Sequence, residues 1–258
     1  MRFCVLASGS RGNAFYVETD NARVLVDAGL SGREIERRLD IVGEGAAELT
    51  ALIVTHEHSD HIKGAGVLSR RYNIPVYMNR KTYESGRNTL GKSLRMEIIQ
   101  TGQHFEIEDL KVETFTKCHD AADPVGLVLS LNGVRLGLVT DLGKSTSLVE
   151  DRLQGCRALV MEFNHDPEML DKGPYPPYLK RRIKGRDGHL SNEQGGDLLR
   201  KICHENLEEV ILAHLSEQNN HPEKAYKQAA EVLGKCGLGR TDIWVSRQDE
   251  PGPMFELK

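Results

Sequence analysis

Apolar residues along this chain fall into short runs bounded by turn-forming clusters. Residues 3–7, 14–18 and 23–27 are rich in Val, Phe and Tyr and read as three strands. The first turn, Ser8-Gly-Ser-Arg-Gly-Asn13, has two glycines and small residues that let the backbone turn tightly and approach a neighbour closely. Asp20-Asn21 is an ordinary hairpin connection. Ser31-Gly-Arg-Glu34 has the form of a capping box opening a helix through about Leu39. The run 51–55 reads as a buried strand, 64–72 as a helix, and a short strand precedes Met78.

From residue 94 to 143 the pattern is rich in strands. Residues 111–117 and 126–131 alternate, and 134–140 is nearly continuous apolar. Asn132-Gly133 supplies the positive φ values of a type I′ hairpin turn. A helix near 146–153 and a strand at 158–163 follow. Residues 164–188 are rich in Pro, Gly and charge and read as an irregular arm. Ser191-Asn-Glu-Gln194 is a second capping box, starting a helix to about His204. A strand at 210–213, a helix at 222–233 and closing strands at 243–246 and 254–257 complete the chain, with no residue-level repeat and no low-complexity tract. Periodicity by itself says α/β, in one large domain or two small ones at a length of 258 residues.

Composition narrows this only slightly. A net charge of −4 gives no global signature of a nucleic-acid or membrane binder, although a local basic groove remains compatible with it. The five cysteines, Cys4, Cys118, Cys156, Cys203 and Cys236, are odd in number and lack C-x-x-C spacing, which predicts a reducing compartment. The N-terminal apolar run is too short for a signal peptide, and no run reaches transmembrane length. A soluble cytoplasmic protein without a membrane partner is expected; no protein partner is indicated.

The chemistry lies where apolar runs stop. Leu52-Ile-Val-Thr-His-Glu-His-Ser-Asp-His-Ile62 ends its strand in His56, His58, Asp60 and His61, four potential metal ligands within six residues. Alternation puts the imidazoles of His56 and His58 on one side, and imidazole with carboxylate suits zinc, manganese or iron. His119 follows the strand 111–117, Asp141 ends Leu138-Val-Thr-Asp141, His214 ends Ile211-Leu-Ala-His214, and Asp27 ends Val24-Leu-Val-Asp27. Singly, each has a plain alternative as a surface histidine, a helix cap, a core histidine or a turn residue. Jointly, so many strand exits carrying donors are hard to explain without metal.

Thr-His-x-His-x-Asp-His after a strand resembles the signature of the metallo-β-lactamase fold superfamily. That resemblance implies an αββα sandwich, two mixed sheets with helices outside, spanning residues 1–258 as a single hydrolase domain. It implies two divalent metal ions, Zn²⁺ or Mn²⁺, with Fe²⁺ also accepted by these donors. His56, His58 and His119 would hold the first ion and Asp60, His61 and His214 the second, with Asp141 bridging. A bridging Asp marks the branches acting on thioesters and phosphodiesters. Asp27 would orient a ligand histidine, and Cys118 would have no ligand role. A water between the ions would attack the substrate, oriented by Asp60. His189, just before a capped helix whose free amides favour an anion, is the candidate proton donor.

Over nearly its whole length the chain looks most like the YycJ/WalJ family of bacterial metallohydrolases. The carrying residues are Ser8-Gly-Ser-Arg-Gly-Asn13, Val26-Asp-Ala-Gly-Leu-Ser31, His119-Asp-Ala-Ala-Asp-Pro-Val-Gly126, Glu162-Phe-Asn-His-Asp166 and Gly188-His-Leu-Ser-Asn192. Gly-His-Leu-Ser also resembles the His-Ser-Thr element of the phosphodiesterase branch that includes RNase Z. The family resemblance implies a DNA exonuclease with a link to DNA repair, and hence a nucleic-acid partner, DNA before RNA. The stretch between Asp141 and His214 is too short for the large second domain that RNase J carries there. No role is assigned to His165. The same ligands would also serve a small-molecule or cyclic phosphodiesterase, or a glyoxalase II-like thioesterase or lactonase; a metal-stabilised scaffold is a third class.

Lys180-Arg-Arg-Ile-Lys-Gly-Arg186 places five basic residues just before His189. Lys180, Arg181, Arg182 and Lys184 are candidate phosphate contacts, Ser191 and Asn192 candidate substrate contacts, and Tyr175 and Tyr178 candidate stacking partners for bases. A solvated charged turn is the ordinary alternative. Neutralising Arg181, Arg182 and Lys184 together is expected to weaken DNA binding and flatten its salt dependence. Affinity that stays unchanged across a salt titration would remove the arm from the interface.

Overall fold

The apolar runs become strands buried on both faces, and this sets the architecture. In β1 (Arg2–Ala7), Phe3 and Val5 point into the space between two sheets while Cys4 and Leu6 point to a helical layer. β2 (Ala14–Glu18) divides in the same way, with Phe15 and Val17 against Ala14 and Tyr16. Period-two side chains with both faces covered explain why such segments read as apolar rather than cleanly alternating.

The computed structural model describes residues 1–92 and 94–258. After β2 come β3 (Arg23–Val26), α1 (Gly32–Ile41), β4 (Ala51–Ile53), α2 (Ser59–Ile62), α3 (Ala65–Tyr72), β5 (Val76–Asn79), α4 (Arg80–Leu90) and β6 (Met96–Ile99). The second half runs β7 (His104–Ile107), β8 (Leu110–Thr116), β9 (Val125–Leu131), β10 (Val134–Val139), α5 (Ser147–Leu153), β11 (Ala158–Glu162), α6 (Pro167–Lys172), α7 (Pro177–Lys184), α8 (Asn192–Ile202), β12 (Glu209–Ala213), α9 (Pro222–Lys235), β13 (Asp242–Val245) and β14 (Phe255–Glu256).

The strands form two seven-stranded sheets, ordered β14-β1-β2-β3-β4-β5-β6 and β13-β12-β11-β10-β9-β8-β7. Each begins as an antiparallel meander and continues in parallel, from β3 to β6 in one and from β10 to β13 in the other. One apolar cluster fills the space between the sheets. Two others pack the outer faces, against α1, α3 and α4 on one side and α5, α8 and α9 on the other. This is the expected αββα sandwich. Among the described residues, no helix is long and apolar enough to cross a membrane.

Two local expectations need correction, and one helix had no expectation at all. The arm at 164–188 is not irregular throughout, because α6 and α7 occupy much of it, each opened by a proline in its first turn. Helix α4 was not legible in its polar sequence; Asn79 caps it and a narrow stripe of Thr82, Gly86 and Leu90 buries it. At α1 only half of the capping box forms. Ser31 accepts from the Glu34 amide, while the Glu34 side chain turns to Arg37 and Arg38. The box at Ser191 is complete, and Asn132 and Gly133 take φ values of 51° and 85°, as a type I′ turn requires.

Glu34 has other work because Arg38 is buried. Arg38 Nη1 donates to the carbonyls of Leu6 (2.8 Å) and Gln248 (2.9 Å), tying α1 to both chain ends. Hydrogen bonds from Arg37 first, and from Arg38, outweigh burial and hold the Glu34 carboxyl down to about 2. The unfolded value is about 4.3, so this stabilisation is present above that pH and is lost as pH falls toward about 2. Glu34→Gln is expected to cost about 1–2 kcal/mol at pH 7. Urea denaturation at a series of pH values should show the deficit shrinking as the medium becomes more acid than the unfolded carboxyl.

Candidate metal centre

The ionisable groups of the centre leave the C-terminal ends of strands. β3 delivers Asp27, β4 delivers His56 and His58, β8 delivers His119, β10 Asp141, β11 Glu162 and β12 His214, while α2 carries Asp60 and His61. Ligand sites at the carboxyl ends of parallel strands are a general outcome of such sheets. Asp27, Asp141 and His214 have φ of 59°, 53° and 57°, a left-handed conformation that costs a non-glycine residue about 1–2 kcal/mol. Local bonds hold it: the Asp27 amide donates to Ile53 O (2.8 Å), that of Asp141 to Glu162 Oε1 (3.2 Å) and that of His214 to Ser8 Oγ (2.8 Å). Buried Lys117 donates to the carbonyl of Thr140 (2.5 Å), on the approach to Asp141.

Three groups of donors result among the described residues: the first of His56, His58 and His119, the second of Asp60, His61, Asp141 and His214, and a third of Asp141, Glu162, His189 and His214 that shares two members with the second. In the first, His58 Nδ1 lies 3.2 Å from His119 Nε2. In the second, His61 Nε2 lies 3.2 Å from Asp141 Oδ2 and 3.6 Å from Asp60 Oδ2. His214 Nε2 lies 3.4 Å from Asp141 Oδ1 and 3.9 Å from Asp60 Oδ2. Asp141 also reaches the first group, with Oδ1 3.9 Å from His119 Nε2.

These donors fit divalent metal ions on two counts. His56 Nε2, Asp141 Oδ2 and His214 Nε2 are buried without a hydrogen-bond partner. Orphaned buried polar atoms cost about 1–3 kcal/mol each, so their convergence at one place is expected of ligands. Donors about 2.1 Å from a tetrahedral ion stand about 3.4 Å apart, and the separations above run from 3.2 to 3.9 Å.

The far nitrogens of these rings are held from behind. His61 Nδ1 is 2.7 Å from Asp27 Oδ2. Asp27 also accepts from the Thr55 amide and from Thr55 Oγ1, both at 2.8 Å. Thr55 Oγ1 is in turn 3.0 Å from His56 Nδ1. His119 Nδ1 faces Gly188 O (3.3 Å), and His214 Nδ1 is 3.0 Å from Glu162 Oε1. Fixing Nδ1 leaves Nε2 for a metal.

The electrostatics differ between the groups. Burial lowers His56 well below its ordinary value and His119 to about 4, so both rings are neutral, the ligating form. Burial also acts against charge on His61 and His214, but Asp141, with Asp27 or with Asp60 and Glu162, outweighs it. His61 is raised to about 10 and His214 well above its usual value. Burial pushes the Asp141 and Glu162 carboxyls up, yet His214 and His61 hold Asp141 well below its usual range. His189 and His214 hold Glu162 down to about 2.

Glu162 is the functional residue that sequence reasoning left without a role. Fully buried, it accepts from the amides of Leu142 (2.8 Å) and Leu190 (3.0 Å) as well as Asp141, and contacts two histidines. Its signal was present: a carboxylate ending an all-apolar strand, as at Asp141. One of its histidines is His189, whose Nδ1 is 2.9 Å from Glu162 Oε1. The His189 ring stacks on His214 at 5.1 Å and meets His119 edge-on at 5.4 Å. Asn13 also joins the site, with Nδ2 3.1 Å from His61 Nε2 and its amide donating to Asp60 O (2.8 Å). That approach requires Gly29, where a Cβ would overlap the Asp60 carbonyl and come within 2.6 Å of the Asn13 amide.

The expected substrate contacts fare unevenly. Ser191 and Asn192 are buried and committed inward, which corrects the expectation for both: Ser191 caps α8, and Asn192 exchanges amide hydrogen bonds with Asn220. Arg182 Nε donates to Asp120 Oδ2 (2.7 Å), Lys180 Nζ to the carbonyl of Asp171 (2.7 Å), and Lys184 pairs with the Asp171 carboxylate. Arg181 is exposed and has no ion pair among the described residues. Tyr178 is exposed and Tyr175 half-buried. His165 is buried, and burial pushes it down to about 4.

A family profile described as "Metallo-beta-lactamase superfamily" matches residues 7–188. Exodeoxyribonuclease YycJ of Bacillus anthracis is 38% identical over 253 residues, covering 97% of this chain and 96% of that protein. Exodeoxyribonuclease WalJ of Streptococcus pneumoniae serotype 2 is 37% identical over 263 residues, covering 99% and 98%. The crystal structure of the metallo-beta-lactamase fold protein YhfI from Bacillus subtilis aligns over 99% of both chains with a TM-score of 0.75 at 16% identity, a likeness of fold.

Asp27→Asn and Glu162→Gln are each expected to weaken divalent metal binding by about 10–100-fold. Competition with a chromophoric chelator measures this, and metal affinity within twofold of wild type for both variants would show that the two carboxylates do not support the centre.

Proposed function

The chain belongs to the metallo-beta-lactamase superfamily, and we propose that it is a metal-dependent phosphodiesterase that degrades DNA as an exonuclease. Similarity over nearly the full length of two exodeoxyribonucleases supports the substrate. The observation that carries the reaction type is His189 held by Glu162 over the donor cluster. A phosphodiester releases an alkoxide that needs a proton, whereas a thioester releases a thiolate that leaves without one.

His56, His58 and His119 would hold one divalent ion and Asp60, His61 and His214 a second, with Asp141 between them; Zn²⁺ and Mn²⁺ both suit these donors. When bound, such ions supply Lewis acidity toward a phosphoryl oxygen and lower the pKa of water. Asp60, partly open to solvent with a side chain 23% exposed, accepts from the attacking water and orients it. His189 is tethered through Nδ1 and restrained by stacking on His214, so Nε2 is the atom that delivers a proton to the leaving oxygen. Glu162 acts through His189 and His214 as a positioning residue. Arg181 and Lys184 of α7 draw in the phosphate backbone, since an exposed ion pair such as Lys184–Asp171 is weak enough to exchange. Residues 1–258 act as one hydrolase domain, in the cytoplasm, with the arm on the substrate side.

Single- and double-stranded DNA, RNA and bis-p-nitrophenyl phosphate, offered with manganese or zinc, test the proposal. DNA should be degraded. His189→Ala should lower kcat on DNA by about 10²–10⁴-fold with metal content intact. Its effect on the p-nitrophenyl ester, whose leaving group needs no proton, should be at most about tenfold. DNA degradation that survives Asp60→Ala or His61→Ala would sink the mechanism.

A further inference from the structure

Beside the donor cluster lies a cavity of about 250 Å³ whose lining includes His189. One wall is the inward side of α7, where Leu179 and Ile183, four residues apart, lie on one face of the helix. Tyr175, half-buried just before that helix, continues the wall. Ser10, Asn164 and Ser216 also line it. Helix α7 has no fully buried residue, so its apolar side faces this cavity instead of being spent in the core.

We infer that this cavity seats one nucleoside of the substrate, the one flanking the phosphate under attack, with its base against Tyr175. The inference rests on the phosphodiesterase reading for what the phosphate does, and on the cavity for what lies beside it. The volume falls below the range of about 300–1,000 Å³ that suits drug-sized ligands, which fits one base and its sugar and no longer segment. An aromatic ring and two branched aliphatic side chains offer a surface on which any base can stack. The cavity has little net charge, because Arg182 at its rim is bonded to Asp120 through both Nε and Nη2, at 2.7 and 2.6 Å. A phosphate would be poorly served there and well served at the histidine cluster next to it, so base and phosphate are sorted by chemistry. Serine hydroxyls rotate to donate or accept, so the four bases should be held alike.

Binding of the four deoxynucleoside 5′-monophosphates and of inorganic phosphate to the zinc-loaded protein, by calorimetry, tests this. The nucleotides should bind at least about tenfold tighter than phosphate and within about threefold of one another. Tyr175→Ala should remove about 5–150-fold of the nucleotide preference, the range of base–aromatic stacking. Leu179→Trp, which fills the cavity, should abolish the preference, and phosphate affinity should report an intact metal site in both variants. Nucleotides that bind no tighter than phosphate overturn the inference, as does a loss that falls equally on phosphate. DNA digestion is scored separately. Nucleotide preference without DNA hydrolysis keeps the pocket and removes the nuclease reading, and DNA hydrolysis without nucleotide preference does the reverse.

Discussion

A carboxylate with no access to water holds the centre of this protein together. Glu162 ends β11, an interior strand of the second sheet, and is fully buried. Burial of a charge without partners is prohibitively unfavourable, and Glu162 has five partners: the amides of Asp141, Leu142 and Leu190, and the Nδ1 atoms of His189 and His214. Those bonds join the ends of β10 and β12 to the loop before α8. They orient one ring of the donor cluster and the ring above it from a single point. Loss of that carboxylate would take from three amides and two imidazoles the acceptor they share in the buried interior.

The first sheet has a counterpart. Asp27 ends β3, is likewise buried, and holds His61 through Nδ1 while accepting twice from Thr55. Each sheet is an antiparallel meander followed by parallel strands. Each places a carboxylate at a strand end, behind a histidine of the second donor group. The two halves share no residue-level repeat, so the correspondence belongs to topology rather than to sequence. The left-handed φ at Asp27, Asp141 and His214 belongs to the same design. The chain must turn abruptly where each strand stops for its side chain to enter the shared space, and surrounding bonds sustain the strained conformation.

The arm is positioned by close backbone contacts. A Cβ at Gly143 would overlap the Arg186 carbonyl and the Gly188 amide, so the turn after Asp141 lies directly against the segment leading to His189. Arg182, bonded to Asp120, ties α7 to the residue following His119. Arg181 and Lys184 of the arm are exposed to solvent, while Leu179 and Ile183 of the same helix line the cavity.

The sequence by itself determined which His and Asp side chains leave the ends of strands, and that imidazole with carboxylate is a donor set suited to divalent metals. Apolar runs ending in His56, His119, Asp141 and His214 announce strand exits, and a strand exit is a local property that a pattern can reveal. Asn132-Gly133 and the box at Ser191 were legible for the same reason, since a turn or cap is decided within four residues. What each donor leans on was decided only by the tertiary structure. Glu162 meets His189 and His214 across 27 and 52 residues of chain, and Asp27 meets His61 across 34; such pairings depend on how two sheets stack. The same packing turned Ser191 and Asn192 inward, gave α4 its buried stripe despite a polar sequence, and set the apolar side of α7 over a cavity. A side chain's type is written locally, but its neighbours are chosen by long-range burial, and here burial assigned the roles.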